Sequence, residues 1–351
     1  MCMNNYSVFK RLAFKFDPEI MHDMSIYAGS LAPRMADLFQ PLNKHENHNL
    51  TIGDLSWSFP VGLAAGFDKN AKAIQFFDKS GFGAIEVGTI TKKHQIGNPK
   101  PRIWRHADIN SVQNAMGFPN AGYKEILSNL ESTDLSSVCL GANIGKNKNT
   151  SEAKTPAEYA FLYEKFAPLA DYLVINISSP NTPGLRSFQS KELLVPLLQA
   201  VNEKRATTPK PLFIKVSPDM NQEDLNMLCE LSKEFALSGI IATNTTIDHD
   251  FGKGGLSGDY IRDISAKSRK IICENLREDP GQSVIGVGGI NCYQDIKDFW
   301  KMGGGFVQIY TAFIFHGPKL LKDIAKEIDR DLKKYQLKNV QELYRNIKET
   351  D

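Results

Sequence analysis

From about residue 61 onward the chain alternates two textures, short apolar runs rich in Val, Ile and Gly and longer amphipathic stretches between them. The runs are 61–66 (VGLAAG), 83–90 (GAIEVGTI), 140–145 (LGANIG), 172–179 (YLVINISS), 211–217 (PLFIKVS), 239–246 (GIIATNTT), 283–290 (SVIGVGGI) and 306–313 (FVQIYTAF). Near-continuous apolarity over so few residues is what a strand covered on both faces requires. The stretches 192–203 and 222–235 instead repeat apolar residues at three- and four-residue spacing, which predicts helices. Eight such strands alternating with helices over roughly 250 residues is the arithmetic of a closed (β/α)8, or TIM, barrel. An open, doubly wound sheet usually needs fewer strands and a Gly-x-Gly-x-x-Gly turn, and the nearest sequence, 286–291 (GVGGIN), lacks the third glycine.

The polar residues that end these runs include Asp68-Lys69, Thr89, Asn143, Asn176, Ser178-Ser179, Lys215, Thr243-Asn244-Thr245, Gly288-Gly289 and Tyr310-Thr311. In this fold the loops after the strands open on one rim, so these groups converge there. Two long connections interrupt the spacing, 91–139 and the loop that holds GKGGLSG at 252–258. Long loops of this kind serve as lids or ligand-binding elements, or are plain surface insertions.

Ahead of the barrel, Tyr6, Phe9, Leu12, Ala13 and Phe16 share one helical face, with Lys10, Arg11 and Lys15 offset from them. Asp17-Pro18-Glu19 then starts a second helix, with Asp17 as cap and Pro18 in the first turn, and Met21, Met24, Tyr27 and Leu31 continue the apolar stripe. Such a pair either packs on the barrel or lies on a membrane surface. The expected division is a helical extension at 1–45, a barrel at 46–335 and a C-terminal tail at 336–351.

Composition narrows the functional classes. A chain of 351 residues that is 42% hydrophobic and 23% charged builds a core. A net charge of +2 is too balanced for nonspecific nucleic-acid binding, so no nucleic-acid partner is expected. The five cysteines show no Cys-x-x-Cys pair and the seven histidines, His45 and His48 among them, no zinc-protease spacing, so no metal site is expected. The first sixteen residues lack a secretory apolar core.

Glycine-rich loops after runs seven and eight are where this fold commonly cradles a phosphate. Lys69 and Lys215 leave buried strands, which is costly unless an anion meets them. Asn114, Asn143, Asn176, Asn181 and Asn244 all fall on the rim, and amides in number suit a flat heterocycle that alternates C=O and N–H. The prolines and glycine of 176–184 (NISSPNTPG) fix a loop that presents Ser178 or Ser179 to the mouth. No Gly-x-Ser-x-Gly elbow surrounds either serine, so the chemistry open to them is proton transfer, with a water or Thr182 as relay.

The ordered motifs GLAAGFDKN (62–70), EVGTIT (86–91), QIGNPKPR (95–102), NAMGF (114–118), NIGKNK (143–148), INISSPNTPGLRS (175–187), IATNTT (241–246), GGLSG (254–258), GVGGI (286–290) and VQIYTAFIFHGP (307–318) resemble those of the class 2, quinone-dependent dihydroorotate dehydrogenases. The resemblance implies FMN held by Ala65, Gly66, Phe67, Asp68, Lys69, Thr89, Asn143, Asn176, Lys215, Thr243, Gly258, Gly289, Tyr310 and Thr311. It places dihydroorotate against Lys69, the loop Asn114, Ala115, Met116, Gly117 and Phe118, and Asn176, Asn181, Asn244 and Thr245. Ser179 would be the base that takes the C5 proton as hydride leaves C6 for the flavin. A quinone would be the final acceptor, reached past His22, Arg102 and Tyr310, in de novo pyrimidine (UMP) biosynthesis. The helical extension would then rest on the membrane, peripheral to the cytoplasmic face of a bacterial inner membrane.

The chain departs from the family pattern at Thr91-Lys92-Lys93-His94-Gln95, where Thr-Pro-x-Pro-Gln is usual, at Ala115, where a larger residue is usual, and at Asn70-Ala71. Two rival readings are a soluble class 1 enzyme that uses fumarate or NAD, and a barrel that binds a nucleotide without catalysis. Class 1 relatives carry Cys in the base loop, whereas no Cys lies between 140 and 228 here.

Overall fold

The computed structural model describes residues 5–39, 42, 46–279 and 281–349. All eight apolar runs form strands of one closed parallel barrel: β1 (Val61–Leu63), β2 (Ala84–Ile90), β3 (Cys139–Ile144), β4 (Tyr172–Asn176), β5 (Leu212–Val216), β6 (Gly239–Ala242), β7 (Ser283–Val287) and β8 (Val307–Ile309). Each strand pairs with the next in sequence, and the ring closes where Val307 registers with Val61. The strands are shorter than the runs because the chain turns into the rim loops early. In the last run only Val307–Ile309 is strand, and Thr311–His316 is already helix.

Helices cover the barrel as the periodicity requires. Lys191–Arg205 buries Leu194, Leu197, Leu198 and Val201, and Gln222–Glu234 buries Leu225, Leu228, Cys229 and Leu231. A hairpin of Leu50–Ile52 and Leu55–Trp57 lies ahead of β1. Its Trp57 stacks on Phe306 with ring centroids 4.3 Å apart. A side chain at Gly62 would come within 2.8 Å of the Trp57 ring, so this close approach needs glycine.

The N-terminal helices form as expected, α1 (Asn5–Ala13) and α2 (Pro18–Leu31), with Asp17 accepting hydrogen bonds from the Glu19 and Ile20 amides. His45, where the extension was expected to end, lies outside the described residues. The expected tail at 336–351 needs correction. Val340–Glu349 is a helix that buries Val340, Leu343, Tyr344 and Ile347 against the barrel's hydrophobic core. Its four-residue apolar spacing is the same pattern that marked the barrel helices.

The two long connections meet. Ile103–His106 pairs antiparallel with Ser111–Asn114, and Gly255–Leu256 from the distant loop adds to Ser111–Asn114, giving a three-stranded sheet beside the barrel mouth.

Candidate active site

The strand ends and the small sheet enclose a cavity of about 1180 Å³, its open mouth included. It is lined by Ala65, Gly66, Lys69, Thr89, Asn114, Met116, Gly117, Phe118, Asn176, Ser179, Asn181, Lys215, Thr243, Asn244, Thr245, Gly258, Gly289, Tyr310 and Thr311. The structure thus gathers on one cavity most of the residues singled out in the sequence, from seven of the eight strand ends and both long loops.

Four expected residues stand elsewhere. The Asp68 carboxylate accepts from the amides of Lys72 (2.9 Å) and Ala73 (2.7 Å) and so organises its own turn, instead of facing the cavity. Phe67 turns to the opposite side, its ring 5.4 Å from that of His22. Ala115 is buried behind the 114–118 loop, its carbonyl taken by Asn98 Nδ2 at 3.0 Å. Asn143 forms a layer beneath the cavity floor, where its Oδ1 accepts from Thr89 Oγ1 (2.6 Å) and Asn176 Nδ2 (3.0 Å) while its Nδ2 donates to Glu86 Oε1 (2.8 Å).

The two candidate serines separate clearly. Ser178 is fully buried; its Oγ donates to Asn176 Oδ1 at 3.1 Å and accepts from Asn244 Nδ2 at 2.9 Å. Ser179 lines the cavity, and its Oγ accepts from the Asn181 amide at 3.3 Å. Asn181 in turn donates from Nδ2 to Asn114 Oδ1 at 3.0 Å, which joins the serine loop to the 114–118 loop. The Thr182 hydroxyl of the same loop is buried, with no partner among the described residues.

A second layer escaped sequence reasoning. Arg186 pins the serine loop, donating to the carbonyls of Ser178 and Thr245 (each 3.0 Å) and pairing with Asp219 at 2.7 Å. Arg269, on a helix with no motif of its own, donates to the carbonyls of Val287 (2.9 Å) and Gly288 (2.8 Å) and so fixes the turn that leads into Gly289. At Gly289, with φ of +70°, a Cβ would fall 2.4 Å from Arg262 Cα, so only glycine fits. Below the floor, fully buried Glu86 accepts from Gln308 Nε2 at 2.6 Å and lies 3.8 Å from Lys215 Nζ. The only sequence trace of these groups was a charged residue inside an otherwise apolar strand.

A second cavity, of about 1360 Å³ with its mouth, opens between α1, α2 and the barrel. Its walls are mostly apolar, including Phe9, Phe14, Met21, Met24, Phe67, Phe76 and Phe313, and it shares Ile103, Val112 and Tyr310 with the first. Burial pushes the Tyr310 hydroxyl up to about 12, so it stays neutral between the two. His22 lines this cavity, but Arg102 does not. The Arg102 guanidinium is held by Glu19 (2.7 Å) and by the carbonyls of Ile96 (2.6 Å) and Asn98 (2.8 Å), directed away from the apolar space. Arg105, three residues on, takes that place. It stacks over the Phe14 ring at 4.5 Å and donates to the carbonyls of Ala13 and Phe16. Along the strand Ile103–His106 the two arginines are not on the same face, which motif position alone did not resolve.

A closed parallel barrel whose strand ends converge on a deep polar cavity, with an apolar cavity walled by an N-terminal extension, defines an enzyme of the (β/α)8 class. Comparison with known proteins supplies its family. A family model described as dihydroorotate dehydrogenase matches residues 49–332. The dihydroorotate dehydrogenase (quinone) of Marinomonas sp. (strain MWYL1) is 39% identical over 343 residues, 92% of this chain and 97% of that protein. That of Sulfurimonas denitrificans is 40% identical over 344 residues, 94% of this chain and 96% of that protein. Among solved structures, ligand-free DHODH from Eimeria tenella matches with a TM-score of 0.84 at 34% identity, over 93% of this chain and 98% of that one. This chain belongs to the dihydroorotate dehydrogenase family.

Proposed function

We propose that this chain oxidises dihydroorotate to orotate and passes the electrons to a quinone, with FMN as resident cofactor. The observation that carries the reading is the pair of cavities, one polar and built from the strand ends, the other apolar and built from the extension, separated by a wall of Ile103, Val112 and Tyr310. A two-substrate enzyme with one polar and one hydrophobic substrate requires such a pair.

The polar cavity fits FMN. Gly289 and Gly258 bring backbone close where a Cβ would clash, beside Tyr310 and Thr311, and this suits a phosphate. Gln308 Oε1 is a buried acceptor without a partner in the cavity wall, and Lys215 Nζ supplies positive charge for the isoalloxazine edge. Ala65, Gly66, Thr89, Asn176 and Thr243 would complete the cofactor's contacts. Bound there, FMN supplies a two-electron acceptor for the hydride that leaves C6.

Dihydroorotate would lie against Asn114, Phe118, Asn181, Asn244 and Thr245, with its carboxylate toward Lys69. Ser179 would take the C5 proton. The Asn181 amide at 3.3 Å stabilises the oxygen as it gives up its own proton, and the buried Thr182 hydroxyl of the same loop would carry that proton on. The test is to purify the protein, ask whether it is yellow, and add dihydroorotate without oxygen. Bleaching followed by restoration with a quinone supports the assignment. Restoration by fumarate or NAD alone would refute it.

The quinone would enter by the apolar cavity from a membrane surface. No helix among the described residues is long and apolar enough to span a bilayer. The outer faces of α1 and α2, however, expose Leu12, Phe16, Ile20, Met24, Tyr27 and Leu31, with Arg11 and Lys15 also exposed. Lys10 does not join them, since its Nζ donates to the Phe315 carbonyl at 3.0 Å. This amphipathic rim suits peripheral attachment to the cytoplasmic face of a bacterial inner membrane. Replacing Leu12 and Phe16 together with aspartate should weaken co-sedimentation with anionic phospholipid vesicles by about tenfold or more. Turnover with a short-chain, water-soluble quinone should be unchanged. Equal vesicle binding by the variant would remove α1 from the docking surface.

A further inference from the structure

Lys69 stands where three spaces meet. It lines the polar cavity, it lines a smaller polar cleft together with Glu19, Asp23, Lys100 and Arg102, and its Nζ lies 3.2 Å from His22 Nε2, a residue of the apolar cavity. An ammonium can only donate, so His22 Nε2 is the acceptor of this contact. Burial, and then the Lys69 charge, hold the imidazole well below its usual range, so it stays neutral and able to accept. The charged groups facing Lys69 are Asp23 and Glu19 from α2, Asp68 from its own turn and Arg102 from the opposite loop.

A lysine side chain has many rotamers, and the Glu19 and Asp23 carboxylates of the polar cleft would draw its ammonium away from the polar cavity. The His22 contact opposes this pull. We propose that His22 is a positioning residue for the dihydroorotate half-reaction: from the N-terminal extension it anchors the Lys69 ammonium in the wall of the substrate cavity. Helix α2 thereby serves the anionic substrate as well as the quinone space. The inference rests on the dihydroorotate reading above and goes beyond it, because the extension is otherwise assigned only to the quinone and the membrane.

The anchor can be removed without undocking the helix. Glu19 joins α2 to Arg102 through three nitrogen–oxygen contacts of 2.7–3.2 Å, and Gly29 packs on the Phe76 ring, both independent of His22.

The test uses His22→Leu, which keeps bulk without an acceptor, and His22→Gln, whose amide oxygen reaches the Nε2 position. Two measurements exclude the quinone: the Kd of orotate from perturbation of the oxidised flavin spectrum, and the rate of anaerobic flavin reduction by dihydroorotate. His22→Leu should weaken orotate binding about tenfold, with slower reduction at subsaturating dihydroorotate, and His22→Gln should restore most of the affinity. If both variants bind orotate and reduce like the wild type, and only the quinone step suffers, the inference is overturned. It is equally overturned if His22→Gln is as impaired as His22→Leu, since the loss would then not be that of an acceptor. If dihydroorotate fails to bleach the wild-type protein, the functional reading itself fails, and the two failures are told apart by the wild-type control.

Discussion

Replacing Ser179 with alanine is expected to slow flavin reduction by dihydroorotate by about 10²–10⁴-fold, the usual contribution of a positioned general base. This corresponds to about 2.7–5.4 kcal/mol of transition-state stabilisation. The protein should still fold and still bind FMN, because among the described residues the Ser179 hydroxyl makes only a 3.3 Å contact with the Asn181 amide. Ser178→Ala is the informative control. That hydroxyl bridges Asn176 and Asn244, so its loss should loosen the amide wall and raise the KM for dihydroorotate while most of the chemical rate survives. Anaerobic stopped-flow at 450 nm, a standard flavin band, separates the two. Should Ser178→Ala abolish reduction while Ser179→Ala leaves it intact, the base is Ser178.

A second large effect is expected on stability. Glu86 is fully buried beneath the cavity and neutralises Lys215 at 3.8 Å, while it accepts from Asn143 Nδ2 at 2.8 Å and Gln308 Nε2 at 2.6 Å. Glu86→Leu strands the Lys215 ammonium in a side chain only 6% exposed and leaves two amide donors unpaired. Breaking a buried pair from one side costs about 3–5 kcal/mol. Urea unfolding should show that loss as a lower midpoint. The double variant Glu86→Leu, Lys215→Met removes the uncompensated charge, so it should recover much of the stability while remaining unable to hold FMN normally. A double variant no more stable than Glu86→Leu would mean that the two charges are not coupled.

These two cases also show what was legible in the sequence. The eight strands were readable because a strand buried on both faces must be apolar along its length, and the rim residues followed from the fold's geometry. Ser179, Asn114, Asn181, Lys69 and Lys215 stand on the cavity for that reason. The layer below was hidden. A charge inside an apolar strand marks Glu86 without telling what it pairs with, and nothing local tells that Arg269 reaches the turn before Gly289 from another element, because those facts depend on which elements become neighbours. The same limit hid how Asp68 and Asn143 are oriented, both beside lining residues but turned to amides and to the floor. It also hid that Arg105, and not Arg102, lines the apolar cavity. The C-terminal helix, by contrast, was readable from the spacing of Val340, Leu343, Tyr344 and Ile347.

The small sheet at the mouth bears on how ligands come and go. The barrel is closed, so its strands have no free edge, and each strand is paired on both sides. The mouth sheet has no such closure, and one of its strands is only Gly255–Leu256, held on its outer side by a single bridge from Leu256 to Thr246. Its amides are therefore expected to exchange with deuterium well before those of β3, β4 and β5, and orotate should slow the exchange at 103–106 and 255–256 specifically. Opening can then be local, with the mouth breathing on a rigid ring, and turnover need not draw on the stability of the barrel itself.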